Sequence, residues 1–185
     1  MLPPLGDYVI FSMQRSASTT LCTWLNGYNG TDCQYELLNF GVQQSGYKWS
    51  HLLNISVDHI HKHPEVFVNL VRSKMSTNIT SFGFKVFPQH INWSLLPALI
   101  RDNRTCIILS RANITAQYIS WKRAHTSGCW ATSGTQCHNI SISFDNTEFE
   151  HYKANRDQWY AYIKQVCAHK RVVEESSENF IANLN

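Results

Sequence analysis

The sequence predicts an α/β domain: a parallel sheet with helices on both faces. Two observations predict it. Short runs of β-branched and aromatic residues alternate along the chain with segments of helical periodicity. The clearest run, at 105–110 (Thr105-Cys106-Ile107-Ile108-Leu109-Ser110), is apolar through its centre, as a strand covered on both faces must be. The 185 residues, 43% hydrophobic and 16% charged, suit one globular domain over 1–185 with a sizeable core.

Each element has its own signal. Residues 8–13 (Tyr8-Val9-Ile10-Phe11-Ser12-Met13) read as a buried strand. A turn follows, then a helix over 20–26, where Leu21, Trp24 and Leu25 share a face and Gly27 and Gly30 end it. Residues 64–75 read as a helix with Pro64 in its first turn. A strand is predicted at 82–87, a helix at 91–101, the strand at 105–110 and a helix at 114–125. The turn-forming stretch 126–147 reads as a loop, 149–167 as a long helix and 170–174 as a fourth strand. A parallel sheet binds ligands beyond the carboxyl ends of its strands.

The first such end carries Gln14-Arg15-Ser16-Ala17-Ser18-Thr19-Thr20. A turn from strand to helix aims free backbone N–H groups at one point, and the helix dipole adds partial positive charge there. Arg15 supplies a permanent cation, and Ser16, Ser18, Thr19 and Thr20 supply hydroxyl donors. The pattern is that of an anion site. A triphosphate loop needs G-x-x-x-x-G-K-[ST]; this turn has neither glycine nor lysine, which counts against a P-loop nucleotide kinase. A second grip follows the strand at 105–110: Arg111 at its carboxyl end and Ser120 nine residues on can clasp one dianionic phosphate.

These two segments together resemble the sulfotransferases that use 3′-phosphoadenosine 5′-phosphosulfate (PAPS). Gln14 to Leu21 is similar to their 5′-phosphosulfate loop, Q-R-S-G-S-T-x-L, with Ala17 in place of glycine. Arg111 and Ser120 match the spacing of their 3′-phosphate motif, R-x8-S. Tyr35-Glu36-Leu37-Leu38-Asn39, Gly83-Phe84-Lys85-Val86 and 173–180 resemble further segments of the carbohydrate and trehalose types. The resemblance implies a P-loop-like sulfotransferase fold, short at its C-terminus. It implies PAPS as donor, held by Arg15, Ser16, Ala17, Ser18, Thr19, Thr20, Arg111 and Ser120, with a carbohydrate hydroxyl as acceptor and no metal. Glu36 is then the expected general base, its pKa tuned upward in a closed pocket. Lys85 and Arg15 would stabilise leaving-group charge, and His90 and His125 are alternative bases. A non-catalytic protein of the same fold that binds adenosine 3′,5′-bisphosphate or a glycan is the competing expectation.

The remaining features bound the class. A net charge of +3 with no basic run does not suggest nucleic acid, and no apolar stretch reaches the length of a membrane span. His59, His61 and His63 alternate, but with no evident fourth ligand they do not make a metal site. Cys129 and Cys137 flank a Ser/Thr/Gly-rich segment and can form a local disulfide; free thiols throughout are the alternative. Seven N-x-S/T sequons begin at Asn29, Asn54, Asn78, Asn92, Asn103, Asn113 and Asn139. They point to a secretory compartment such as the Golgi lumen. Residues 1–7 do not read as a signal peptide, which leaves a cytoplasmic chain rich in Asn, Ser and Thr as the alternative.

Overall fold

The computed structural model describes residues 6–42, 44–101, 104–130 and 140–184. Five strands form one all-parallel sheet: β1 (Tyr8–Ser12), β2 (Thr31–Cys33), β3 (Ser81–Val86), β4 (Thr105–Ser110) and β5 (Val172–Ser176), in the order β2-β3-β1-β4-β5. The chain runs from β1 out to the edge, returns to β3 beside β1, then crosses to β4 on β1's other side. The sheet therefore reverses its winding at β1, the point where such sheets open a crevice at their carboxyl ends.

Side-chain alternation along β1 builds two cores. Tyr8 and Ile10 pack with Leu21, Cys22 and Leu25 of α1 (Ser18–Leu25) and with Phe180 of α8 (Ser177–Ala182). Val9 and Phe11 face the other layer. There they meet α4 (Pro64–Ser73) through Phe67, Val68 and Val71, α6 (Ile114–Ser127) through Tyr118, and α7 (Asn146–Cys167) through Trp159 and Ile163. Helices thus cover both faces, as the alternating pattern implies. None of the helices among the described residues is long and apolar enough to cross a membrane.

Two disulfides tie these layers. Cys22–Cys33 joins α1 to β2, and Cys106–Cys167 joins β4 to the last residue of α7. All four cysteines are buried. Free thiols throughout are therefore not what the fold shows. Cys129 is also disulfide-bonded, while Cys137 lies outside the described residues.

Several predicted elements shift. The helix expected over 91–101 is broken into a 3₁₀ turn, Trp93–Leu95, and the short α5 (Leu96–Leu99). Asn92 caps the turn by accepting from the Ser94 N–H, and Pro97 has no N–H to extend a longer ladder. The expected loop 126–147 loses both ends, since α6 runs on to Ser127 and α7 starts at Asn146, capped by Asp145; residues 131–139 lie outside the described residues. Of the three alternating histidines, His59 and His61 are in α3 (Val57–Lys62), and His63 caps its end. Two further helical elements, α2 (Ser45–Leu53) and the 3₁₀ turn Pro88–His90, complete the elements among the described residues.

Candidate functional site

The carboxyl ends of β1, β3 and β4 open on one cavity of about 410 Å³. The 14–20 turn forms its floor. Arg15 and Ala17 both take left-handed backbone, at φ 64° and 55°. For residues with a Cβ this conformation costs roughly 1–2 kcal/mol each. Ala17 thus occupies the position at which a glycine would be unstrained. The turn delivers α1 with no side-chain cap and no acidic residue in its first turn. Its first turn, Ser18, Thr19 and Thr20, lines the cavity, and the N–H groups of a helix's first turn are without partners inside the helix.

The turn is braced from behind. Ser16 is fully buried and does not line the cavity; its hydroxyl accepts from Gln117 Nε2 at 2.7 Å. The same amide donates to the Gln14 carbonyl at 3.0 Å. Gln117 is itself fully buried in α6, so α6 sets the shape of the turn. Below it, the Tyr160 hydroxyl accepts from the Met13 N–H and donates to the Leu109 carbonyl, joining the ends of β1 and β4.

Arg15, Arg111 and Ser120 meet at one wall. Arg15 Nε donates to Ser120 Oγ at 2.9 Å and its Nη1 to the Trp130 carbonyl at 2.7 Å. Arg111 Nη1 donates to the Arg15 carbonyl at 3.2 Å, and its Nε lies 3.9 Å from Glu178. The expected Arg111–Ser120 clasp is therefore a three-residue cluster, with Arg15 directly on the serine. Burial and the like charge of Arg111 push the Arg15 guanidinium below its ordinary value, so an anion placed here would be favoured by both cations. Burial disfavours ionisation of Glu178, but the backbone N–H groups of Ala112 and Asn113 outweigh it and hold its carboxyl at about 2.

The opposite wall carries the acid–base chemistry. Lys85, at the end of β3, is 2% exposed; its Nζ donates to Thr19 Oγ1 at 2.7 Å and lies 3.2 Å from Glu36 Oε1. The chain reaches this point by hooking beyond β2. The Gln34 N–H donates to the Gly83 carbonyl and the Lys85 N–H to the Tyr35 carbonyl, with Tyr35 at φ 51°. Asn39 donates to Glu36 Oε2 at 2.7 Å, and His90 Nε2 stands 3.6 Å from the same oxygen. His90 Nδ1 accepts from the Phe87 N–H, so the neutral ring carries its proton on Nε2, toward Glu36.

The charge state of Glu36 differs from expectation. Burial raises its pKa, but Lys85, Asn39 and His90 together lower it further, and the net shift is downward. Glu36 rests as a carboxylate paired with Lys85. Burial in turn lowers Lys85, against the pull of Glu36, and burial drops His90 to about 4 despite Glu36. His125 is exposed on α6, stacked on Trp121, and does not line the cavity.

Gln117, Tyr160 and Glu178 were not expected at the site, although Gln117 carried a signal in its i, i+4 spacing from Asn113 toward Ser120 and Glu178 lies in the resembling segment 173–180. Among the described residues no cluster of three His, Cys, Asp or Glu could hold a metal ion. Compared with known proteins, the chain matches no family model and no curated protein sequence.

Proposed function

We propose that this protein transfers a sulfuryl group from PAPS to a carbohydrate hydroxyl. One observation carries the reading: the bare N-terminus of α1, the Arg15–Arg111–Ser120 cluster and Lys85 all converge on a single cavity. The N-terminus of α1 with Lys85, and the adjoining Arg15–Arg111–Ser120 cluster, give one cavity enough donors for a ligand phosphorylated at both ends. The donor set is made of N–H, hydroxyl, guanidinium and ammonium groups, which suits a polyanion.

In such a transfer the acceptor oxygen forms a bond to sulfur, the sulfur–phosphate oxygen bond breaks, and adenosine 3′,5′-bisphosphate leaves with the extra charge. Glu36 accepts the acceptor's proton. Lys85, already bonded to Thr19, meets the charge that develops on the departing phosphate, together with Arg15 and the first N–H groups of α1. Moving Lys85 toward the donor takes its positive charge from Glu36 and lets that carboxylate's pKa rise as the proton arrives. The acceptor's path is a second cavity of about 420 Å³, lined by Leu38, Phe40, His61, Pro88 and His90, which adjoins Glu36 through His90. Its mix of aromatic, imidazole and amide groups suits a sugar ring.

Replacing Glu36 with Gln removes the proton acceptor and keeps the shape. Transfer of radiolabelled sulfate from PAPS to a sugar panel is expected to fall about 10²–10⁴-fold with adenosine 3′,5′-bisphosphate affinity unchanged. Equal turnover by Glu36→Gln removes Glu36 from that role. The closed Glu36–Lys85 pair favours one other reading, a protein that binds the bisphosphate without turnover. Tight bisphosphate binding with no transfer to any sugar by the wild type would establish it.

A further inference from the structure

The sequons are not equivalent in the fold. All five sequon asparagines among the described residues, Asn29, Asn54, Asn78, Asn92 and Asn113, are exposed. Three of them have structural work. Asn92 and Asn113 accept from the N–H groups of Ser94 and Ala116 and so cap a 3₁₀ turn and α6. Asn54 closes α2 in left-handed backbone, which Asn tolerates better than most residues. Asn29 and Asn78 do none of this: among the described residues neither side chain has a hydrogen bond, and neither caps a helix. Packing and capping do not account for asparagine at these two positions.

Both sit at the same place. Asn29-Gly30-Thr31 runs into β2 and Asn78-Ile79-Thr80 runs into β3, and Thr31 is in register with Ser81. The Gly30 carbonyl accepts from the Thr80 and Ser81 N–H groups at 2.8 and 2.9 Å, so the sequons are bonded side by side. Being at the amino ends of parallel strands, they lie on the edge of the sheet opposite the cavity. Lys85 is five residues beyond Thr80, about 16 Å at roughly 3.3 Å per residue.

The buried Cys22–Cys33 and Cys106–Cys167 bonds argue independently that the chain matures where thiols are oxidised, the compartment in which sequons are modified. We propose that Asn29 and Asn78 carry N-linked glycans. In the reaction Asn Nδ2 bonds to the anomeric carbon of an oligosaccharide held on a lipid diphosphate. The sugar–phosphate bond breaks, the lipid diphosphate leaves, and Nδ2 gives up one proton. The paired glycans shield the start of β2, the edge strand of the sheet beside β3, and leave the cavity clear.

The test uses the protein expressed from its complete coding sequence in eukaryotic cells. Peptide N-glycosidase treatment in ¹⁸O-water is expected to convert Asn29 and Asn78 to ¹⁸O-labelled aspartate in peptide mass spectra. Asn29→Gln and Asn78→Gln should each remove one glycan step on a gel. Thr31→Ser should keep the glycan that Thr31→Ala loses, with thermal midpoint unchanged in the Asn variants. Recovery of the Asn29 and Asn78 peptides unmodified, with no enzyme-dependent gel shift, overturns the proposal. None of these readouts depends on sulfuryl transfer.

Discussion

Glu36 and His90, 3.6 Å apart, are held in different ways, the first ionised by its partners and the second neutral by burial. A buried carboxylate alone would titrate high, yet Glu36 titrates low because Lys85 and Asn39 reach it. A residue one step further out, His90, is neutral by burial, and its folded pKa of about 4 lies below the ordinary 6.5. The sign follows from linkage. Between 6.5 and 4 the unfolded chain binds a proton at His90 that the folded chain refuses, so stability is full above 6.5 and declines as the pH falls toward 4. The loss approaches about 3 kcal/mol at 1.36 kcal/mol per pKa unit. Urea titrations from pH 7 to 4 should show the wild type losing stability more steeply than His90→Gln. Parallel profiles would mean that His90 is not held neutral.

At the scale of elements, β1, β3, β4 and the turn between β1 and α1 were legible because their signals are local. The strand predicted at 105–110 is β4 residue for residue, since its apolar run needs both faces covered. The edge strand β2 was not legible: Thr31–Cys33 is three residues, too short to show a period. Its position is set by long-range bonds, the Cys22–Cys33 disulfide and the Gly83 carbonyl. The same holds at the site. Arg15, Arg111 and Ser120 were readable from motif spacing, whereas Gln117, Tyr160 and Glu178 act across the fold, through partners 51 to 147 residues away. Gly83 illustrates a packing constraint of this kind. The Tyr8 ring lies across it, and a Cβ there would overlap ring carbons. Gly83→Ala should therefore cost about 1–3 kcal/mol in chemical denaturation, and a neutral result would show that the ring moves freely aside. The Cys106–Cys167 bond closes a 61-residue separation. Its chain-entropy contribution is about 4 kcal/mol, so Cys106→Ser with Cys167→Ser should lower the thermal midpoint markedly, and an unchanged midpoint would contradict the bond's role.

For the molecule as a whole, the sheet sorts its tasks by end. The amino ends hold structural contacts such as Asp7 with Arg72 and the Phe82 N–H, and the sequons at Asn29 and Asn78. The carboxyl ends gather Arg15, Lys85 and Arg111, three cations drawn from three strand ends into one cavity. Modest net charge of +3 conceals this local concentration. On the function proposed above, this cavity grips a nucleotide with phosphates at both its 5′ and 3′ ends. Calorimetry with adenosine 3′,5′-bisphosphate against ADP, on wild type and Arg111→Ala, tests it most directly. The wild type is expected to prefer the bisphosphate and Arg111→Ala to lose about 10–100-fold of that affinity, the worth of a charge-assisted contact, while ADP binding changes little. Equal or tighter binding of ADP, or bisphosphate affinity untouched by Arg111→Ala, would contradict it.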